Sequence, residues 1–222
     1  MLRGIFLDLD GTLINSEKAF CNCFLDVLNL EYGASVSKDD YRKYELEQNA
    51  QLISYVRSTS SVLDSVTDSE IMSMVYDRYV NYFREIIQED EAKDNFELLR
   101  ELKKKGYILS LVTTCRRHYL DILNDEEKIY ELFTCVIARE DVEHLKPSEE
   151  AYIKALKETL VDVKDSLAME DSKRGIDAAL QAHIPTIKVD NFTDIKYHDE
   201  RVLEEESANK VLRKIIQTGD YK

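Results

Sequence analysis

Two aspartates, Asp8 and Asp10, stand where an apolar run gives way to Gly11 and Thr12. In an extended chain that spacing puts both carboxylates on one face, and a glycine turn lets the backbone approach a ligand closely. The same kind of edge recurs downstream. Thr113 and Thr114 follow Leu111-Val112, Lys146 precedes Pro147, and Glu170-Asp171 follow Leu167-Ala168-Met169. Carboxylates gathered at one site repel one another, and a hard divalent cation with oxygen ligands is the natural remedy. Magnesium suits a site that also holds a phosphate. Thr113 can donate to a phosphoryl oxygen, and Lys146 can neutralise one while holding a carboxylate in place. Each feature alone has a plainer meaning: a solvated turn, a surface turn at Lys146-Pro147, a helix cap at Glu170-Asp171. Their order at successive strand ends is what argues for a site. A calcium-binding loop opening at Asp8 is excluded. It needs glycine at its sixth position and glutamate at its twelfth, where Leu13 and Ala19 stand.

For these residues to meet, the apolar runs before them must be strands of one sheet. Residues 3–9, 107–112, 134–138, 166–169 and 186–189 have that composition, and helical patterns separate most of them. Residues 95–105 carry Phe96, Leu99 and Leu102 on one face, with Gly106 placed as a stop; residues 148–160 carry Ala151, Tyr152, Ala155 and Leu156; residues 174–183 form a short helix before Pro185. Strand alternating with helix predicts an α/β fold, a parallel sheet covered by helices on both faces. In such a sheet ligands gather at the carboxyl ends of the strands. One insertion breaks the rhythm. Residues 17–30 place Phe20, Cys23, Phe24, Val27 and Leu28 at helical spacing, and Ser37 with Asp40 and Thr67 with Glu70 read as capping boxes. The expected organisation is therefore a core of residues 1–15 and 90–222 with an inserted all-helical domain of residues 16–89. The stretch after Asp190 is acidic, reads as solvated surface, and ends in a helix around Val211, Leu212, Ile215 and Ile216.

The bulk numbers bound the partners. With 222 residues, 44% of them apolar, the chain can pack a core. A formal charge of −14 repels nucleic acid and anionic membrane, so neither is expected as a partner. No apolar run reaches the length of a membrane span, and the one at the N-terminus is too short for a signal peptide. Cys21, Cys23, Cys115 and Cys135 fit no zinc pattern and read as free thiols. The expectation is a cytoplasmic monomer acting on a small phosphorylated molecule.

The segments Phe6-Leu7-Asp8-Leu9-Asp10-Gly11-Thr12-Leu13, Leu111-Val112-Thr113-Thr114, Leu145-Lys146-Pro147 and Met169-Glu170-Asp171-Ser172 with Gly175, in that order, resemble the haloacid dehalogenase superfamily. The match is to its phosphatase and phosphomutase branch, typified by β-phosphoglucomutase and phosphoglycolate phosphatase. That resemblance implies a Rossmann-like sheet with a helical cap that closes over the site, and magnesium as cofactor. It implies that Asp8 attacks phosphorus and that Asp10 serves as general acid and then base. It implies that Thr113, Thr114 and Lys146 bind the phosphoryl group. The metal would be held by Asp8, the Asp10 backbone carbonyl and Asp171, with Glu170 near.

The chain departs from the pattern in places. Leu145 replaces a usual glycine, Ser148 a frequent proline or histidine, and Asn15 a frequent aspartate. The β-phosphoglucomutase relatives carry a histidine where this chain has Phe20, which favours a phosphate monoester hydrolase over a sugar phosphomutase. A non-catalytic phosphate- or protein-binding member is the third reading, and the intact Asp8, Asp10, Thr113, Lys146 and Asp171 set argues against it. Arg42, Lys43, Arg57 and Arg116, and the tyrosines of the insertion, are weaker candidates for substrate contact, with surface charge and helix packing as the plainer reading.

Overall fold

The computed structural model of the protein describes residues 1–45, 49–190, 192, 197–205 and 207–221, without the side chains of residues 42, 44, 45, 49, 50 and 205. The strands are β1 (Gly4–Leu7), β2 (Ile108–Val112), β3 (Cys135–Ile137), β4 (Ser166–Glu170), β5 (Thr186–Val189) and β6 (Val202–Glu205). The helices are α1 (Ser16–Asp26), α2 (Lys38–Glu45), α3 (Asn49–Thr59), α4 (Asp68–Ile87), α5 (Asp90–Lys104), α6 (Arg117–Glu127), α7 (Ile129–Leu132), α8 (Glu150–Thr159), α9 (Lys173–Gln181) and α10 (Ala208–Thr218). The chain divides into two compact units, one of residues 1–15 and 86–222, the other of residues 16–85. Among the described residues no helix is long and apolar enough to cross a membrane.

The first unit is a Rossmann-like α/β sandwich around a six-stranded sheet of order β3-β2-β1-β4-β5-β6, every pairing parallel. β1 lies between β2 and β4, and all four of its residues are buried. A strand covered on both faces needs no alternation, which is why this segment reads as an unbroken apolar run. Phe6 of β1 and Ala168 of β4 pack with Ala151, Tyr152, Ala155 and Leu156 of α8 and with Ala178 and Ala179 of α9. The small residues of α9 let that helix sit close on the sheet. α5 ends as its spacing predicts, with Gly106 at φ +91°, a conformation open chiefly to glycine.

The five predicted strands lie where expected, and two features differ. The acidic stretch after Asp190 is not all solvated surface: it contains β6, parallel to β5, and Leu203 there is 47% exposed. Its pairing comes from backbone hydrogen bonds that side-chain patterning does not announce, and the exposed Glu204 puts a charge on this edge strand. α6 and α7 also went unforeseen. Their buried residues Tyr119, Leu120, Leu123, Ile129 and Leu132 are interrupted by Lys128 in a left-handed conformation.

The second unit is all-helical among its described residues. Both capping boxes form. Asp40 N donates to Ser37 Oγ at 3.1 Å and Ser37 N to Asp40 Oδ2 at 3.0 Å; Glu70 N donates to Thr67 Oγ1 at 3.2 Å and Thr67 N to Glu70 Oε2 at 2.8 Å. Phe20 packs its ring 6.0 Å from Phe24 and 5.6 Å from Tyr79. Arg57 is committed locally, to Asp68 at 2.5 Å and the Val66 carbonyl at 2.6 Å. Tyr41 and Tyr79 are buried, and Tyr82 donates to Asp26. These are packing and stapling roles within the unit. The side chains of Arg42 and Tyr44 lie outside the described residues.

Candidate active site

The site grows out of strand register. Leu7 pairs with Leu111 on one side and Met169 on the other. The next residues, Asp8, Val112 and Glu170, therefore stand level across three adjacent strands. β1 is also where the strand order turns back on itself, the crevice at which open parallel sheets bind ligands. By alternation Asp8 and Glu170 continue the face of Phe6 and Ala168, toward α8 and α9.

Lys146 reaches this level from the loop before α8 and is 4% exposed. Its ammonium donates to Asp8 Oδ1 at 2.6 Å, Glu170 Oε1 at 2.5 Å and the Val112 carbonyl at 2.8 Å. Those three bonds use all the donors a lysine has. The Lys146 carbonyl accepts from Arg174 Nε at 2.9 Å, so the loop is tied to the first turn of α9. α9 opens at Ser172, whose Oγ accepts from Gly175 N at 3.1 Å. Burial alone would lower the Lys146 pKa, but the adjoining carboxylates of Asp8 and Glu170 outweigh it and raise it. The amine stays charged. Burial is the largest influence on both acids; it raises Asp8 and pushes Glu170 up to about 7, against the pull of Lys146.

Asp171 completes the acidic group. Asp8, Glu170 and Asp171 are all buried, and each brings a carboxylate oxygen within 4.8 Å of the others. Three carboxylates facing one ammonium leave a formal excess of two negative charges. A hard dication matches that deficit and the all-oxygen donor set. The residues present therefore fit a magnesium-type site. Two glycines make room for it. A Cβ on Gly11, which has φ +78°, would fall 2.0 Å from Asp171 Oδ2, and a Cβ on Gly175 would fall 1.8 Å from Glu170 Oε2.

Asp10 stands apart from this trio. The turn after it closes with Gly11 N donating to the Ile14 carbonyl at 2.9 Å, and Asn95 of α5 holds the Leu13 carbonyl at 3.0 Å. Thr113 Oγ1 donates weakly to Asp10 Oδ2 at 3.4 Å and accepts from Cys115 N at 3.0 Å. Thr114 follows in the same loop, half-buried. The seven candidates thus converge as two groups, Asp8, Lys146, Glu170 and Asp171 in the buried junction and Asp10 with Thr113 and Thr114 beside it.

Residue typing alone passed over Tyr152 and Arg174. Tyr152 is fully buried in α8, its hydroxyl donating to Glu170 Oε1 at 2.5 Å. The signal available was a tyrosine, which carries a hydroxyl needing a partner, inside an apolar helical stripe.

A family model described as haloacid dehalogenase-like hydrolase matches residues 5–189. The chain belongs to that family. Within the family, this hydrolase is 30% identical over 168 residues to the pyrophosphatase PpaX of Bacillus cereus, covering 76% of this chain and 73% of that one. Its fold matches a putative beta-phosphoglucomutase from Thermotoga maritima with a TM-score of 0.79 at 18% identity, over 98% of this chain and 100% of that one. It also matches CbbY from Rhodobacter sphaeroides in complex with phosphate, with a TM-score of 0.70 at 22% identity, over 95% and 96% of the two chains.

Proposed function

We propose that this hydrolase cleaves the phosphate monoester of a small metabolite in two steps through an aspartyl-phosphate on Asp8. The observation that carries the reading is the buried junction in which Lys146 grips the Asp8 carboxylate between two strand ends, beside Asp171. In the first step the Asp8 carboxylate attacks phosphorus and the bond to the leaving oxygen breaks, with Asp10 donating a proton to that oxygen. In the second step Asp10 takes a proton from water, which attacks phosphorus, releases inorganic phosphate and restores Asp8. Lys146 keeps Asp8 ionised and aligned; to donate to a phosphoryl oxygen beside Thr113 and Thr114, its ammonium exchanges one of its three present acceptors for it. Asp8, Asp171 and the Asp10 backbone carbonyl, with Glu170, would hold magnesium, which when bound supplies positive charge against the phosphoryl oxygens. Residues 1–15 and 90–222 are the catalytic domain in this reading, and residues 16–89 are a cap that selects the substrate.

Two observations bear on the substrate. Phe20 is packed among aromatic rings and offers no acid or base, which supports hydrolysis over mutase chemistry. Similarity to chains named pyrophosphatase PpaX favours inorganic pyrophosphate as a second substrate reading, with the same nucleophile acting on an anhydride. The test is turnover of p-nitrophenyl phosphate with magnesium, followed by a panel of phosphorylated metabolites that includes pyrophosphate. Magnesium-dependent release of phosphate is expected, abolished in Asp8→Asn. Folded wild-type protein that turns over nothing sinks the hydrolase reading, and an Asp8→Asn variant of unchanged rate sinks the assigned nucleophile.

A further inference from the structure

Tyr152 of α8 stands against the junction. Its ring centroid lies 5.3 Å from the Lys146 ammonium, within the reach of a cation–π contact. Its hydroxyl donates at 2.5 Å to the same Glu170 oxygen that accepts from Lys146. Glu170 Oε2 has no hydrogen-bond partner among the described residues, so Oε1 alone fixes the direction of this carboxylate. Two donors hold that oxygen, Lys146 and Tyr152. A core tyrosine with merely a packing role has no reason to touch both members of a buried ion pair.

We propose, building on the hydrolase reading, that Tyr152 is a positioning residue for phosphoryl transfer, its ring seating the Lys146 ammonium and its hydroxyl turning Glu170 toward it, so that Lys146 stays on Asp8. Without the hydroxyl, Glu170 keeps one of its two donors and is free to turn, carrying Lys146 with it. The loss falls on alignment at the reacting centre, which counts more in the transition state than in ground-state binding.

The experiment compares Tyr152→Phe and Tyr152→Leu with wild type in the full chain, using p-nitrophenyl phosphate and saturating magnesium, with thermal midpoints read alongside. Tyr152→Phe keeps the ring and the fold, and its kcat falls about tenfold, as expected for removing one hydrogen bond to a charged group. Its KM stays within about twofold of wild type, because the hydroxyl does not touch substrate. Tyr152→Leu loses the ring as well and falls further. A Tyr152→Phe variant with wild-type kcat overturns the assignment, as does a rate loss accounted for by unfolded protein. If wild type itself has no turnover, the hydrolase reading fails separately, and calorimetric binding of aluminium fluoride, a phosphoryl-transfer analogue, with magnesium decides: affinity weakened at least about fivefold in Tyr152→Phe supports positioning of Lys146, and unchanged affinity overturns it.

Discussion

Gly175→Ala sets two physical effects against each other, and their magnitudes decide the sign. Gly175 is the third residue of α9, and helix propensity favours alanine over glycine by about 1 kcal/mol. The new Cβ, however, would lie 1.8 Å from Glu170 Oε2, 2.1 Å from its Cδ and 2.5 Å from its Oε1. Glu170 is 0% exposed, and Lys146 and Tyr152 hold its Oε1, so it cannot step aside without breaking a bond. Overpacking costs about 1–3 kcal/mol, and losing one hydrogen bond to a charged group adds about 1.5–3 kcal/mol, so the net destabilisation is about 1.5–5 kcal/mol once the propensity gain is subtracted. That is a large share of the roughly 5–15 kcal/mol that holds a domain folded. Urea unfolding of wild type and variant, with magnesium held constant, reads the difference as a lowered midpoint at an unchanged slope. Glu170→Ala supplies the control. In that background the obstacle is gone, and Gly175→Ala should stabilise by the propensity term alone. A Gly175→Ala variant that is neutral or more stable in the wild-type background refutes the steric argument.

Other expectations follow from the same geometry. In EDTA the buried Glu170 has its pKa raised from 4.5 to about 7, so the folded state binds the extra proton. Its contribution to stability is fully present below pH 4.5 and is lost as pH rises through about 7. Thermal midpoints of the metal-free protein should fall across that window, and adding magnesium should restore them most at the upper end; a flat profile would contradict the assignment. Arg174→Ala frees the Lys146 carbonyl; the loss of that charge-assisted bond should lower kcat by about tenfold or less, and Arg174→Lys should recover only part of it because a single donor replaces the guanidinium fork. Gly11→Ala combines a positive φ with a Cβ 2.0 Å from Asp171 Oδ2, so magnesium titrated by calorimetry should bind at least about tenfold more weakly, by analogy with other disturbances around metal ligands.

Much of the fold was open to reading because the sheet interior is covered on both faces. β1 shows as an unbroken apolar run since each of its residues is buried. α5 and α4 show through their periodic stripes, and the Thr67–Glu70 box marks its helix start because capping is local, a matter of residues three apart. β6 stayed hidden because its pairing with β5 is made by backbone groups and half of its four residues are acidic. α6 and α7 stayed hidden because Lys128 interrupts their stripe.

For the site, the residues alone determined the chemistry on offer: carboxylates at Asp8, Asp10, Glu170 and Asp171, hydroxyls at Thr113 and Thr114, an ammonium at Lys146. Side-chain type and spacing along one strand are local facts. Tertiary structure decided which of these groups touch. Strand register set Asp8, Val112 and Glu170 level, so that one lysine could bond all three. Packing of α8 and α9 on the sheet brought Tyr152 beneath that lysine and Gly175 against Glu170. Those contacts join residues far apart in the chain, and no local pattern encodes the distance between them.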